Sequence, residues 1–194
     1  MRFALRGLAV ALLAVSCGRG LTGPGQANGE AGAIEQAGVD DAGPEERDPR
    51  MEDLWARARE GDADDLARLY DREGDVGLTE RGALPAYRLI ALQALGFAHD
   101  FTPLPWLAAV ASSGTDAEAE AALESAKDIA ARPLTARDPE DALELHEGCE
   151  KLLALATAKD RPRGRRIRAA SVLRMLSLAG CTGLSTLPSD LDAK

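Results

Sequence analysis

Pro85-Ala86-Tyr87-Arg88-Leu89-Ile90-Ala91-Leu92-Gln93-Ala94-Leu95-Gly96 decides the fold. It lies within residues 83–98, which are apolar on nearly every face, with Arg88 and Gln93 as the exceptions. A run of that kind reads as a helix buried on all sides. Elsewhere in the chain no stretch alternates Val, Ile, Thr or aromatic residues with polar ones for long enough to make a strand. Hydrophobic residues make up 45% of the chain but aromatic residues only 4%, so the core must be built from Leu and Ala, which suits close-packed helices. The expectation is an all-α protein. Its 194 residues allow one domain of ordinary size plus extra segments.

On both sides of this stretch, helix punctuation recurs at short intervals. Asp48-Pro49 and Asp138-Pro139 place a capping side chain before a proline at the first helical position, and Thr115 with Glu118 forms the pattern of a capping box. Gly61, Gly74, Gly114 and Gly180 stand where helices can stop. The predicted helices are 49–60, 63–73, 84–98, 103–113, 116–132, 139–159 and 163–180, joined by short loops. Leu145, Cys149, Leu152, Leu153 and Ala156 share one helical face, and Ala169, Val172, Leu173, Leu176 and Ala179 another. The two faces are expected to meet across a hairpin.

The opening stretch has a faint second copy. It can be laid over residues 168–179, and Thr102-Pro103-Leu104-Pro105 then falls on Ser185-Thr186-Leu187-Pro188. The offset is near twice the roughly 40 to 47 residues of a two-helix HEAT repeat, with helices 103–113 and 116–132 supplying the unit between. On these residues the body over about 62–188 resembles a short HEAT-like α-solenoid; an irregular helical bundle is the other arrangement the pattern allows. The resemblance implies a scaffold or binding surface with no chemistry of its own.

At the other end, Arg2 and Arg6 precede an apolar run from Gly7 to Val15, closed by Ser16 and Cys17. This is the order of a secretory signal, and the run is far shorter than the about 20 residues that cross a bilayer. Leu13-Ala14-Val15-Ser16-Cys17 resembles the lipobox of bacterial lipoproteins, although Ala14 stands where Leu is commonest and Ala14-x-Ser16 also fits ordinary signal cleavage. The resemblance implies removal of a signal peptide over 1–16, lipidation of Cys17, and a tether of several acyl chains, each methylene worth about 0.8 kcal/mol. With Gly18 next to the cysteine, it further implies an address in the bacterial cell envelope, at the outer membrane rather than the inner.

Residues 17–48 then form a linker rich in Gly, Ala, Glu, Asp and Pro, with only Leu21, Ile34 and Val39 as bulky aliphatics. Such a segment buries too little apolar surface to order itself and as a coil spans on the order of 30 Å. The expected division is therefore signal 1–16, lipidated cysteine and linker 17–48, helical domain 49–188 and tail 189–194.

The formal net charge of −9 argues against nucleic acid as a partner, since phosphate binding draws on clustered Lys and Arg. A search for chemistry finds no G-x-S-x-G elbow, no phosphate loop and no dinucleotide fingerprint, and His99 and His146 are the only imidazoles. Neither catalysis nor a cofactor is expected. The most chemical-looking segment is Glu144-Leu145-His146-Glu147-Gly148-Cys149-Glu150, where His146 and Glu150 share a helical face but the H-E-x-x-H zinc motif lacks its second histidine. A metal-binding or enzymatic protein using His146, Glu147 and Glu150 is the alternative to a non-catalytic one. Asp62-x-Asp64 with Glu73 has the spacing of a calcium loop, but Ala67 stands where glycine is needed, and Leu66, Leu69 and Tyr70 mark a helical face instead. Asp71-x-Glu73-x-Asp75 fits weak attraction of a cation and a solvated helix end equally well.

Cys149 and Cys181 are paired in number once Cys17 is assigned to lipid. In a straight hairpin Cys181 falls about 12 Å too far along its helix. A bridge requires the chain to fold back after Gly180 or the helix to break near Gly148, and two buried thiols remain the alternative. Arg161, Arg163, Arg165, Arg166 and Arg168 form either a docking patch for an anionic partner or a solvated helix start paired with acidic residues of a neighbouring repeat or with the acidic linker. The functional expectation is a membrane-anchored interaction module or scaffold with an envelope protein as its partner.

Overall fold

The structure, a computed structural model, describes residues 49–191. The expected signal peptide over 1–16, Cys17, the expected linker over 17–48 and residues 192–194 of the tail lie outside the described residues. Among the described residues there are seven α-helices and no strand: α1 Pro49–Ala58, α2 Ala63–Gly82, α3 Pro85–Leu95, α4 Leu104–Ser113, α5 Asp116–Ala130, α6 Pro139–Thr157 and α7 Arg163–Leu176. Three short 3-10 turns follow at Ser177–Ala179, Leu184–Thr186 and Ser189–Leu191. The protein is all-α.

The starts of these helices follow from side chains next to them. Asp62 accepts hydrogen bonds from the backbone of Asp64 at 3.0 Å and Asp65 at 3.2 Å, so the would-be calcium ligands open a helix. Thr115 and Glu118 satisfy each other's backbone N–H groups, and the Thr115 bond holds the Glu118 carboxyl below the usual range. Asp138 accepts from Glu140 and Asp141 ahead of Pro139. Gly74 ends the first helical segment of α2, as expected. It takes φ 64° and ψ −176°, which kinks α2, and the chain resumes as helix to Gly82. Leu78 on the second half is fully buried.

Helices α2 and α3, α4 and α5, and α6 and α7 pair as three successive hairpins. Their second helices form one layer, α3 against α5 and α5 against α7, while α4 packs on α6 in the other and α1 lies on α2. Helices α3 and α7, which carry the two similar stretches, therefore hold equivalent places in the first and third hairpins, with α4 and α5 between them. The core is largely Leu and Ala, with Trp55 and Phe101 as its largest rings. Leu145, Cys149, Leu152 and Ala156 on α6 and Ala169, Val172, Leu173 and Leu176 on α7 are all buried.

Two expectations need correction. Helix α3 buries Ile90, Ala91, Leu92, Ala94 and Leu95, but Leu89 is 44% exposed and Ala86 and Gln93 also face solvent. It is an outer-layer helix with one open side. The packed chain also runs past 188, because Leu191 is fully buried against α7. Among the described residues no helix is long and apolar enough to cross a membrane.

Candidate functional site

Cys149 and Cys181 form a disulfide with Cα atoms 5.9 Å apart. Helix α6 runs unbroken through Gly148, so the reversal lies at the other cysteine. Gly180 adopts φ 115°, and the Cys181 N–H donates to the Leu176 carbonyl at 3.1 Å. This six-residue closure is a Schellman-type stop that turns the chain back over α6. Gly148 is small for a different reason: a Cβ there would meet Leu104 at 2.5 Å, so it sets the approach of α4 to α6.

The five arginines are dispersed by the fold. Arg165, with its side chain 9% exposed, donates to the carbonyls of Ala111 and Gly114 at 3.3 Å and pairs with Asp116 at 2.6 Å, fastening α7 to the turn between α4 and α5. Arg166 is buried and donates to the Ala156 carbonyl at 3.0 Å in the last turn of α6, where a cation is favoured. Arg168 pairs with Glu120 at 3.0 Å and Arg161 with Asp160 at 3.8 Å, both on the surface, and Arg163 is exposed and makes contacts of its own. Pairing with acidic residues of the neighbouring hairpin is what Arg165 and Arg168 do.

On α6 the spacing brings His146 and Glu150 within 3.5 Å, both well exposed. Glu147 turns away to pair with Lys151 at 2.6 Å. The three residues of the metal alternative are thus not brought together, and no group of three or more His, Cys, Asp or Glu suited to a metal occurs among the described residues.

A polar cluster absent from the sequence reading lies at the kink in α2. The Tyr70 hydroxyl is 3.5 Å from Asp75 Oδ2, and the Tyr70 ring meets the His99 ring edge to face at 5.9 Å. Burial and the nearby Asp100 push the Asp75 carboxyl up to about 6; burial, Asp75 and Asp100 push Tyr70 up to about 12. Asp75 Oδ1 is buried with no hydrogen-bond partner. Thr79 next to it directs its hydroxyl to the carbonyls of Asp75 and Val76 at 2.9 Å. The arrangement can take up and release a proton, but it lacks the nucleophile, base and orienting group of a hydrolytic set. The signal in the sequence was Gly74 beside Asp75, which reads equally well as a helix end.

Asp141 was also missed, because it looks like an ordinary first-turn acid. It is buried, and its two oxygens accept from the backbone of Phe101 at 2.8 Å and of Arg137 at 2.9 Å. This clasp ties the loop before α4 to the start of α6.

The surface carries a concavity of about 530 Å³ lined by Arg50, Arg57, Arg68 and Arg72, a smaller one of about 210 Å³ beside Arg165 and Arg168, and two more. One, of about 370 Å³, lies beside the kink between α2, α4 and α6, with Trp106, Pro103 and Pro105 facing Asp75, Glu144 and Lys151. Burial and then Glu147 and Glu140 raise the Glu144 carboxyl. The other, of about 540 Å³, is a groove between α3 and α5 closed at one end by the start of α2. Leu66, Leu89 and Phe97 line its apolar side and Glu120, Glu124 and Asp128 its acidic side.

Fold and surface together define an all-α protein of three paired hairpins with open grooves on its faces. The chain matches no known protein family, no curated protein and no solved structure.

Proposed function

We propose that this chain is a lipid-anchored, non-catalytic interaction module of the bacterial envelope, a short HEAT-like α-solenoid that binds another envelope protein. The observation that carries the reading is the pairing of α2–α3, α4–α5 and α6–α7 into hairpins whose second helices line up side by side. Such a stack presents an extended surface set by helix faces, which is the means by which solenoids bind other chains. Further support comes from the side chains: the candidate chemical residues on α6 are split between separate ion pairs, and Arg165, Arg166 and Arg168 of the arginine run bond to neighbouring helices. The lipobox-like Leu13 to Cys17 supplies the anchor and the linker supplies reach.

Affinity capture from solubilised membranes at native expression tests this. A discrete partner recovered in fixed ratio is expected. Recovery of the chain alone, in repeated captures with cross-linking, makes it a structural envelope protein and removes the module reading.

A further inference from the structure

The groove between α3 and α5 explains why the stretch that opened the sequence reading is more apolar than its burial requires. Ala86, Leu89 and Gln93 are exposed along α3, and Phe97 just beyond its end is half-buried. They recur at helical spacing and form one stripe. Across from it, Glu120, Glu124 and Asp128 recur every four residues along α5. We propose that this groove is the docking surface for a cationic amphipathic helix of a partner protein, its apolar face on Leu89 and Phe97 and its lysines or arginines against the three α5 carboxylates.

Charge complementarity selects the occupant. The groove is lined by three carboxylates and by no Lys, Arg or His. Lys127 and Arg168 reach Glu124 at 2.5 Å and Glu120 at 3.0 Å from outside it, in exposed pairs that are weakly held and readily exchanged. Burial and then Glu124 raise the Asp128 carboxyl, a cost that an incoming cation relieves. The chain's own linker is not the occupant, because residues 18–48 carry seven acidic residues and only Arg19 and Arg47 as basic ones. Anionic lipid and nucleic acid are repelled for the same reason. A helix laid in an apolar groove, with anchors at i, i+3 or i+4 and i+7, is a common recognition mode and fits the length of the α3 stripe.

This inference rests on the interaction-module reading, and its test separates the two. The probes are fluorescein-labelled helices about five turns long, one of leucine and lysine and one of leucine and glutamate. They are titrated into the full chain carrying Cys17→Ser, so that acyl chains add no competing apolar surface. The leucine-lysine helix is expected to bind and to lose about ten-fold in affinity with Glu124→Lys plus Asp128→Lys, and as much with Leu89→Glu. Glu140→Lys plus Glu150→Lys, two exposed sites on α6, is expected to leave binding unchanged. Thermal melts of every variant show that folding is retained. Equal loss with the α6 pair, or equal binding of the leucine-glutamate helix, overturns the groove.

In cells, a photoreactive residue at Gln93 is expected to cross-link to a partner segment that maps as cationic and amphipathic. Cross-linking only from position 146 on α6 overturns the groove and leaves the module reading standing. No cross-link from either position, with no peptide binding, overturns both.

Discussion

Asp75 shows how a residue that looks solvated in sequence acquires a task from the backbone beside it. The kink at Gly74 turns its carboxyl inward, where burial and Asp100 hold its pKa near 6, above the ordinary 3.8. A folded-state value raised in this way contributes stability that is fully present below 3.8 and lost as pH rises through about 6. Asp75→Asn is therefore expected to stabilise the protein at pH 7.5 by about 1 kcal/mol, after allowing for solvent screening of a half-buried group. The gain should close near pH 4, and thermal melts at the two pH values check it. Asp141 predicts the opposite sign. Asp141→Ala leaves the N–H groups of Phe101 and Arg137 without their acceptor and is expected to cost about 2 to 4 kcal/mol in urea unfolding. Neither residue was legible in the sequence, because their roles depend on partners 25 to 40 positions away.

At the scale of elements the sequence was far more readable. Caps at Thr115 and Asp138 and the prolines after Asp48 and Asp138 place helix starts locally, so α1, α5 and α6 begin where the pattern puts them. Ends and faces were harder. Gly74 ends one helical segment, but a second follows the kink to Gly82 and buries Leu78, and α3 looks buried throughout because an apolar side chain in sequence does not say what covers it. The disulfide belongs to this scale too: a straight-helix estimate left it open, and the left-handed Gly180 resolves it. Closing a loop of sequence separation 32, it is expected to stabilise the fold by about 3 to 4 kcal/mol, read as the shift in urea midpoint when Cys149→Ser and Cys181→Ser are combined. Arg165 and Arg161 divide the arginine run. Arg165→Ala should destabilise by about 1 to 3 kcal/mol through the exposed ends of α4 and α5, while Arg161→Ala should leave the melt unchanged.

For the molecule as a whole, composition pointed to helices and the offset between residues 85–96 and 168–179 pointed to repetition. Those two stretches fall on α3 and α7, the second helices of the first and third hairpins. Function is less legible, because an interaction surface is made of residues whose individual chemistry is ordinary. The groove on α3 and α5 is assembled from leucine, phenylalanine and glutamate, the commonest currency of any helical surface. In the proposed reading Cys17 joins this body to the membrane, and intact-mass analysis of the membrane-extracted chain, native and Cys17→Ser, with detergent partitioning of both, is the sharpest test of that link. The native chain is expected to begin at Cys17, carry acyl chains and enter the detergent phase, with all three lost in Cys17→Ser. An unmodified native chain beginning at Cys17 and found free in the soluble fraction contradicts that reading and makes this a secreted helical protein.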